Sequence, residues 1–348
     1  MAASLEYTQY RYGSENELQR LGVWRFPGDD LGELSSTTRP DKYWIVYIHG
    51  GAWRDPRIDH SSIIPTIDVL LGGGTTWPPF HRISGFASLD YRLSSHPDFP
   101  QAEDGHSVPA FSLRAARHPD HVLDVRAGLA LLRRVLSSES GEDPRILLYG
   151  HSCGATLALQ VLMGRDALRS AGGDKADPTV QNEDGKDEVP LPVAVVGFEG
   201  IYDLPGLNGR FSDAYRGFMS AAFGTDESVW AAASPALYQW RDRFGRRRRG
   251  ETMRSETNSD DGPVKRESRE ECPLIVLAYS PEDSLIDALE IDNMEKAVRE
   301  GGLDVLAYRD LSGEHDVVWK NGWGIARVLL GAIEGLERLG KKREERHS

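Results

Sequence analysis

Ser152 stands at the centre of Gly150-His151-Ser152-Cys153-Gly154, with a strand-like run at 145–149 before it and a helix-like stretch at 155–163 after it. A G-x-S-x-G between a strand and a helix is a nucleophile elbow, whose small residues let the backbone turn sharply and lift the serine hydroxyl above a sheet. The chemistry this suits is acyl transfer through a covalent serine intermediate. The hydroxyl needs a base, and in the chain order Ser, acid, His that base lies beyond the last strand. His315, in Ser312-Gly313-Glu314-His315-Asp316, is the one histidine so placed, because His347 belongs to a charged tail. The acid is expected after the preceding strand, where 280–287 offers Glu282, Asp283 and Asp287. Asp283 sits where the strand-to-helix loop turns, whereas Asp287 already fits the next helical pattern, so Asp283 is favoured. Its task is to hold the His315 tautomer and stabilise the imidazolium without accepting the proton.

The developing alkoxide needs donors. His49-Gly50-Gly51-Ala52-Trp53 ends the apolar run 43–48, upstream of the elbow, where half of an oxyanion hole belongs. Gly51 and Ala52 are assigned as N–H donors, Gly50 shapes the turn, and the Cys153 N–H supplies the donor after the nucleophile. Losing one such donor typically costs about 3–4 kcal/mol of barrier. Trp53 has two roles open to it, lining a substrate pocket or anchoring the loop by packing. The Cys153 thiol is expected to point away from the chemistry as a buried structural group. His118 and His121 follow His96 and His106, but zinc sites need three or four placed ligands. Neither a metal nor another cofactor is expected.

The elements that must carry these residues are short continuous apolar runs at 43–48, 83–89, 146–149, 193–198, 274–279 and 305–308. Runs of this kind suit strands buried on both faces. Helical spacing falls between or after them, at 121–135, 285–299 and 325–339. Alternating β and α elements imply one α/β domain over 1–348: a mostly parallel central sheet with helices on both faces, the α/β-hydrolase fold once the elbow is included. Two stretches, 165–190 and 245–271, read as inserted flexible loops, because their composition cannot bury enough apolar surface to offset ordering entropy. The second contains Arg246, Arg247, Arg248 and Arg249, yet its eight basic residues are nearly cancelled by seven acidic ones.

A net charge of −13 argues against a nucleic-acid partner, since phosphate binding relies on clustered Lys and Arg. No stretch approaches the ~20 apolar residues that a membrane span needs, and residues 1–10 lack the apolar core of a signal peptide. Two cysteines, Cys153 and Cys272, are too few for a disulfide framework and favour a reducing compartment. A cytoplasmic enzyme with a small-molecule carbonyl substrate is expected, and a homodimer stays possible.

With these segments together, the chain resembles the kynurenine formamidases of the α/β-hydrolase superfamily, particularly those of fungi. The family's H-G-G-x-W appears as His49, Gly50, Gly51, Ala52 and Trp53. The resemblance runs through 150–154, 280–286 and Glu314-His315, and covers most of the chain apart from the two insertions. It also takes in Asp90-Tyr91-Arg92-Leu93-Ser94 and Glu199-Gly200-Ile201-Tyr202-Asp203-Leu204, which look like framework segments. It implies hydrolysis of N-formyl-L-kynurenine to L-kynurenine and formate, a step of tryptophan catabolism that also feeds NAD biosynthesis. Hormone-sensitive lipase-like esterases carry a similar H-G-G-G, so a broad carboxylesterase is the alternative.

Overall fold

Strands rich in Val, Ile, Leu and aromatics on every position fit only a sheet covered on both faces. The computed structural model describes residues 5–28, 42–73, 76–101, 108–168, 189–245 and 272–345. Its strands are β1 (Glu6–Arg11), β2 (Arg20–Arg25), β3 (Tyr43–Ile48), β4 (Ile83–Leu89), β5 (Ile146–His151), β6 (Ala194–Phe198), β7 (Leu274–Ala278) and β8 (Val305–Tyr308). The helices are α1 (Ile64–Gly73), α2 (Asp120–Ser140), α3 (Cys153–Met163), α4 (Leu204–Arg210), α5 (Arg216–Phe223), α6 (Glu227–Ala233), α7 (Ala288–Glu300), α8 (His315–Asn321) and α9 (Trp323–Glu345). Among the described residues no helix is long and apolar enough to cross a membrane.

The eight strands form one sheet in the order β1-β2-β4-β3-β5-β6-β7-β8. From β4 to β8 the neighbours pair parallel, while β1 and β2 add to the β4 edge antiparallel. One core joins a sheet face to α2, α3 and α7 through residues such as Val125, Leu129, Leu159 and Met294. The other joins the opposite face to α1 and α9 through Ile67, Leu70, Val328 and Leu329. Central β5 is fully buried, and each such aliphatic side chain contributes roughly 1.5–3 kcal/mol.

Where the structure departs from the sequence reading, local reasons are visible. The antiparallel strands β1 and β2 were not among the expected runs, because β1 is exposed and polar and β2 buries Leu21 and Val23 on alternate positions around Gly22. Helix α7 begins at Ala288 rather than at residue 285. Asp283 Oδ1 accepts the N–H groups of Leu285 and Ile286, at 2.8 and 3.0 Å, which turns that segment into a loop. The first insertion was expected to begin at 165, yet Ala167 and Leu168 are buried in a short 3-10 turn, Gly164–Leu168. Residues 169–188 and 246–271 of the two insertions lie outside the described residues.

β3 and β5 are adjacent, and the turn after β5 presses against the end of β3. A Cβ on Gly154 would stand 2.2 Å from the Ile48 carbonyl oxygen and 2.6 Å from that of His49. A Cβ on Gly150 would meet Gly154 backbone atoms at 2.2 Å. Neither obstacle is a side chain that can swing aside. Gly154→Ala is therefore expected to lose more than about 4 kcal/mol of stability, an exceptional figure for one methyl. Gly209→Ala, on α4 where an added Cβ meets nothing within 4 Å, should leave stability unchanged or raise it by about 1 kcal/mol. Urea denaturation of both variants checks this, and a wild-type midpoint for Gly154→Ala would refute the close approach.

Candidate active site

Strand β5 delivers Ser152 into the gap before α3 with φ 55° and ψ −126°. A non-glycine residue with positive φ costs on the order of 1–3 kcal/mol unless its surroundings enforce it. Here they do. Ser152 N–H donates to Phe198 O at 2.9 Å, and Ala155 N–H donates to Ser152 O at 3.0 Å, inside the glycine-lined contact just described.

His315 opens α8 and Asp283 lies in the loop between β7 and α7, so the sheet brings together two residues 32 apart. His315 Nδ1 donates to Asp283 Oδ2 at 2.8 Å. Two further links brace the same pair of loops: Ser280 Oγ donates to Gly313 O at 2.7 Å, and Ser284 Oγ donates to Glu314 Oε2 at 2.7 Å. Of the three acids weighed in the sequence, Asp283 is the one that meets His315. Asp287 instead precedes α7 and pairs with Arg210 at 2.6 Å, while Glu282 is exposed. Ser152, Asp283 and His315 are all buried, with 7–8% of their surface accessible.

His151 and Glu199 were not anticipated as site residues, although Glu199 opened one of the framework segments. Glu199 follows β6 with φ 48°, so its carboxyl turns inward beside the triad candidates. Its Oε2 lies 3.1 Å from His151 Nε2 and 3.7 Å from His315 Nδ1. Burial, then the nearby Asp283 charge, pushes the Glu199 carboxyl up to about 9, so it is neutral at physiological pH. His151 is held well below the usual imidazole range by burial and by His315, and its ring packs 4.5 Å from the His315 ring. Its Nε2–H donates to Glu199 Oε2 and to His315 O, both at 3.1 Å. The donor atoms of His151, Glu199 and His315 converge within 4.8 Å, the one such group of three among the described residues. Each already has another task, with His315 Nδ1 turned to Asp283 and Glu199 neutral, which suits a hydrogen-bonded brace and not a cation. Of the other histidines weighed as ligands, His121 Nε2 lies 3.0 Å from Ser94 Oγ, His118 packs on Phe223, and His106 lies outside the described residues.

The H-G-G-x-W segment takes positive φ at three consecutive residues, Gly51 (98°), Ala52 (49°) and Trp53 (59°). Successive residues in this region curl the chain so that adjacent N–H groups line one concavity. No backbone carbonyl among the described residues takes the N–H of Gly51, Ala52 or Cys153. The Trp53 N–H is engaged, donating to Cys153 Sγ at 3.2 Å. Burial pushes the Cys153 thiol up to about 11, so it stays protonated as an inert link between elbow and loop.

The segment 90–94 clamps this loop from behind. Tyr91 OH donates to His49 O at 3.0 Å, and Ser94 N–H donates to Trp53 O at 2.9 Å. The His49 ring stacks on Tyr91 at 4.4 Å and its Nδ1 donates to Gly50 O at 2.8 Å; burial lowers its pKa against the opposing pull of Asp90. Trp53 resolves to the anchoring role. It has no accessible surface and packs edge-on against Phe223 at 5.0 Å and tilted against Phe218 at 6.1 Å, so it offers no wall to a substrate. A cavity of about 780 Å³, lined by Trp77, Tyr308, Leu311 and Trp323, contains none of Ser152, Asp283 and His315.

No protein-family model matches the chain. It is 32% identical over 307 residues to a kynurenine formamidase-like hydrolase of Fusarium equiseti, with 85% of each chain covered. It is 29% identical to a kynurenine formamidase of Aspergillus versicolor, over 82% of this chain and 86% of that one. Among solved structures it is similar to an esterase B of Lactobacillus rhamnosis at a TM-score of 0.59 and 14% identity, over 99% of this chain and 90% of that one. A truncated carbohydrate esterase from gut microbiota matches at 0.59 and 14%, over 96% and 99%. At such identities these two likenesses concern the fold alone, and that fold is the α/β-hydrolase one.

The neutral Glu199 has a measurable signature. Its folded value of about 9 lies above its ordinary value of 4.5, so the folded state holds a proton that the unfolded state releases between these limits. Its contribution to stability, full below the unfolded value, is lost as pH rises toward the folded one. Glu199→Gln keeps the shape and removes the titration. Relative to wild type, the variant is expected to gain stability from about pH 5 to pH 8.5, at up to about 1.4 kcal/mol per pH unit. Urea midpoints across that range test this, and a pH-independent gap would mean that Glu199 is ionised in the fold.

Proposed function

The chain belongs to the kynurenine formamidase-like hydrolases, and from that premise we propose that it hydrolyses the formyl amide of N-formyl-L-kynurenine to L-kynurenine and formate, as a serine enzyme of tryptophan catabolism. The observation that carries the reading is the Asp283–His315 couple at 2.8 Å, together with a serine held at positive φ in the elbow. The relatives select the acyl group.

In this mechanism Ser152 Oγ attacks the formyl carbon while His315 Nε2 accepts its proton. The imidazolium is stabilised through Nδ1–H by Asp283, which stays ionised. The carbonyl oxygen becomes an alkoxide, for which Gly51, Ala52 and Cys153 are the assigned backbone N–H donors; donors fixed in the backbone stabilise it with little reorganisation. On collapse His315 protonates the aryl nitrogen, the C–N bond breaks, and L-kynurenine leaves as a weakly basic aryl amine. Water, deprotonated by His315, then attacks the formyl ester and releases formate and Ser152. Because the leaving amine is aromatic, an esterase-like triad is chemically adequate.

Ser152→Ala and His315→Ala are each expected to lower kcat by about 10³-fold or more while leaving the melting temperature near wild type, since only oxyanion and binding contributions remain. Near-normal turnover in either purified variant would sink the mechanism. For the substrate, kcat/KM for N-formyl-L-kynurenine is expected to exceed those for formanilide and p-nitrophenyl acetate in one preparation. If the simple ester matched or outran it, a broad carboxylesterase would be the better reading.

A further inference from the structure

The substrate has a second end, an α-ammonium and an α-carboxylate, for which the triad provides nothing. Arginines on the segments around the site are mostly paired. Arg57 is held by Asp55 at 2.7 Å, Arg210 by Asp287 at 2.6 Å, and Arg216 by Glu227 at 2.7 Å. The side chain of Arg54, which immediately follows the H-G-G-x-W segment, has no hydrogen bond or ion pair among the described residues, although its backbone N–H donates to Gly51 O at 2.9 Å. Its guanidinium lies over the Phe218 ring, 5.7 Å from the centroid. It is part-buried, and burial works against its charge, countered only at longer range by Asp98 and Asp55. Asp55 is engaged by Arg57, and the Asp98 side chain is 82% exposed. A part-desolvated cation with no close counterion is a place where an arriving anion is favoured.

The surroundings point to which anion. Phe218 packs against Trp53 at 6.1 Å and against Tyr215 at 5.4 Å, and Tyr215 OH donates to Leu285 O at 2.7 Å. This aromatic pair thus bridges from the oxyanion loop to the loop that carries Asp283. Both rings are only part-buried, unlike Trp53. Arg54 lies two residues past Ala52, so its Cα is within about 7 Å of the oxyanion donor's. Both residues thus lie within reach of one aryl amino acid substrate.

We propose that Arg54 is a specificity-determining residue that receives the α-carboxylate of the substrate while the aryl ring lies against Phe218 and Tyr215. The assignment rests on the formamidase reading. Arginine suits it, because its planar fork meets a carboxylate with two parallel N–H donors and is pre-oriented by stacking on the ring.

The test compares wild type, Arg54→Met and Arg54→Lys on three formyl anilides: N-formyl-L-kynurenine, its decarboxylated analogue that keeps the amine, and formanilide. Arg54→Met is expected to raise KM for N-formyl-L-kynurenine roughly 10–100-fold with kcat little changed, the size of a charge-assisted hydrogen bond. The two substrates without a carboxylate should respond by less than about threefold on the same measure. Arg54→Lys should recover part of the loss, because it keeps the charge and not the fork. An equal loss on all three substrates would assign Arg54 a structural role and overturn the proposal. So would an unchanged KM in Arg54→Met. Wild type that cleaves none of the formyl anilides would instead overturn the formamidase reading, and this assignment with it.

Discussion

The approach of β5 to the end of β3 leaves no room for a side chain, and most of the site follows from that contact. Because Gly154 abuts the Ile48 and His49 carbonyls, the chain after β5 must turn at Ser152, which is driven to positive φ. The same contact sets Cys153 under the H-G-G-x-W loop, where its thiol accepts the Trp53 N–H. The N–H groups of Gly51 and Ala52 beside it have no backbone carbonyl partner among the described residues. The proposed nucleophile and the H-G-G-x-W loop are thus held together at one backbone contact, where positive φ in each is enforced by its surroundings.

Two buried carboxyls show how environment sets charge in this interior. Asp90 is desolvated, but hydrogen bonds from His60, the His49 and His60 rings and Arg20 together hold it below the usual carboxylate range. Glu199, equally inaccessible, faces the anionic Asp283 and a neutral His151, and it keeps its proton. The difference matters for chemistry. A second anion beside His315 would favour the imidazolium before the serine proton arrives, whereas a neutral carboxyl braces the ring without changing its charge balance.

The substrate side is built on a different principle. Trp53 is sealed into the core, so the motif's aromatic residue steadies the loop, while the part-buried Phe218 and Tyr215, on and before α5, are the surface proposed for an aryl ring. Arg54, emerging from the same loop, carries a charge without a close partner in a protein whose other site-proximal arginines have theirs. On the proposed reading, chemistry and recognition share one scaffold, the loop after β3.

Much of this was legible in the sequence, for reasons tied to particular residues. Glycines at 150 and 154 around a serine, and an H-G-G-x-W after an apolar run, are local signals, because backbone turns are encoded by small residues at fixed offsets. The continuous apolar runs likewise announced β3 to β8, since strands covered on both faces need no alternation. Choosing Asp283 over Glu282 and Asp287 could be argued from position alone, but what distinguishes the three is partners: Asp283 meets His315, and Asp287 is taken by Arg210 across the fold. The antiparallel strands β1 and β2 were illegible because β1 is a polar, exposed edge with little hydrophobic pattern and β2 offers only Leu21 and Val23 around a glycine. Glu199 and Arg54 were illegible for a deeper reason. Whether a carboxyl is neutral or a guanidinium unpaired depends on burial and on charges brought in from elsewhere in the chain, such as Asp283 beside Glu199, and only the folded chain assembles those.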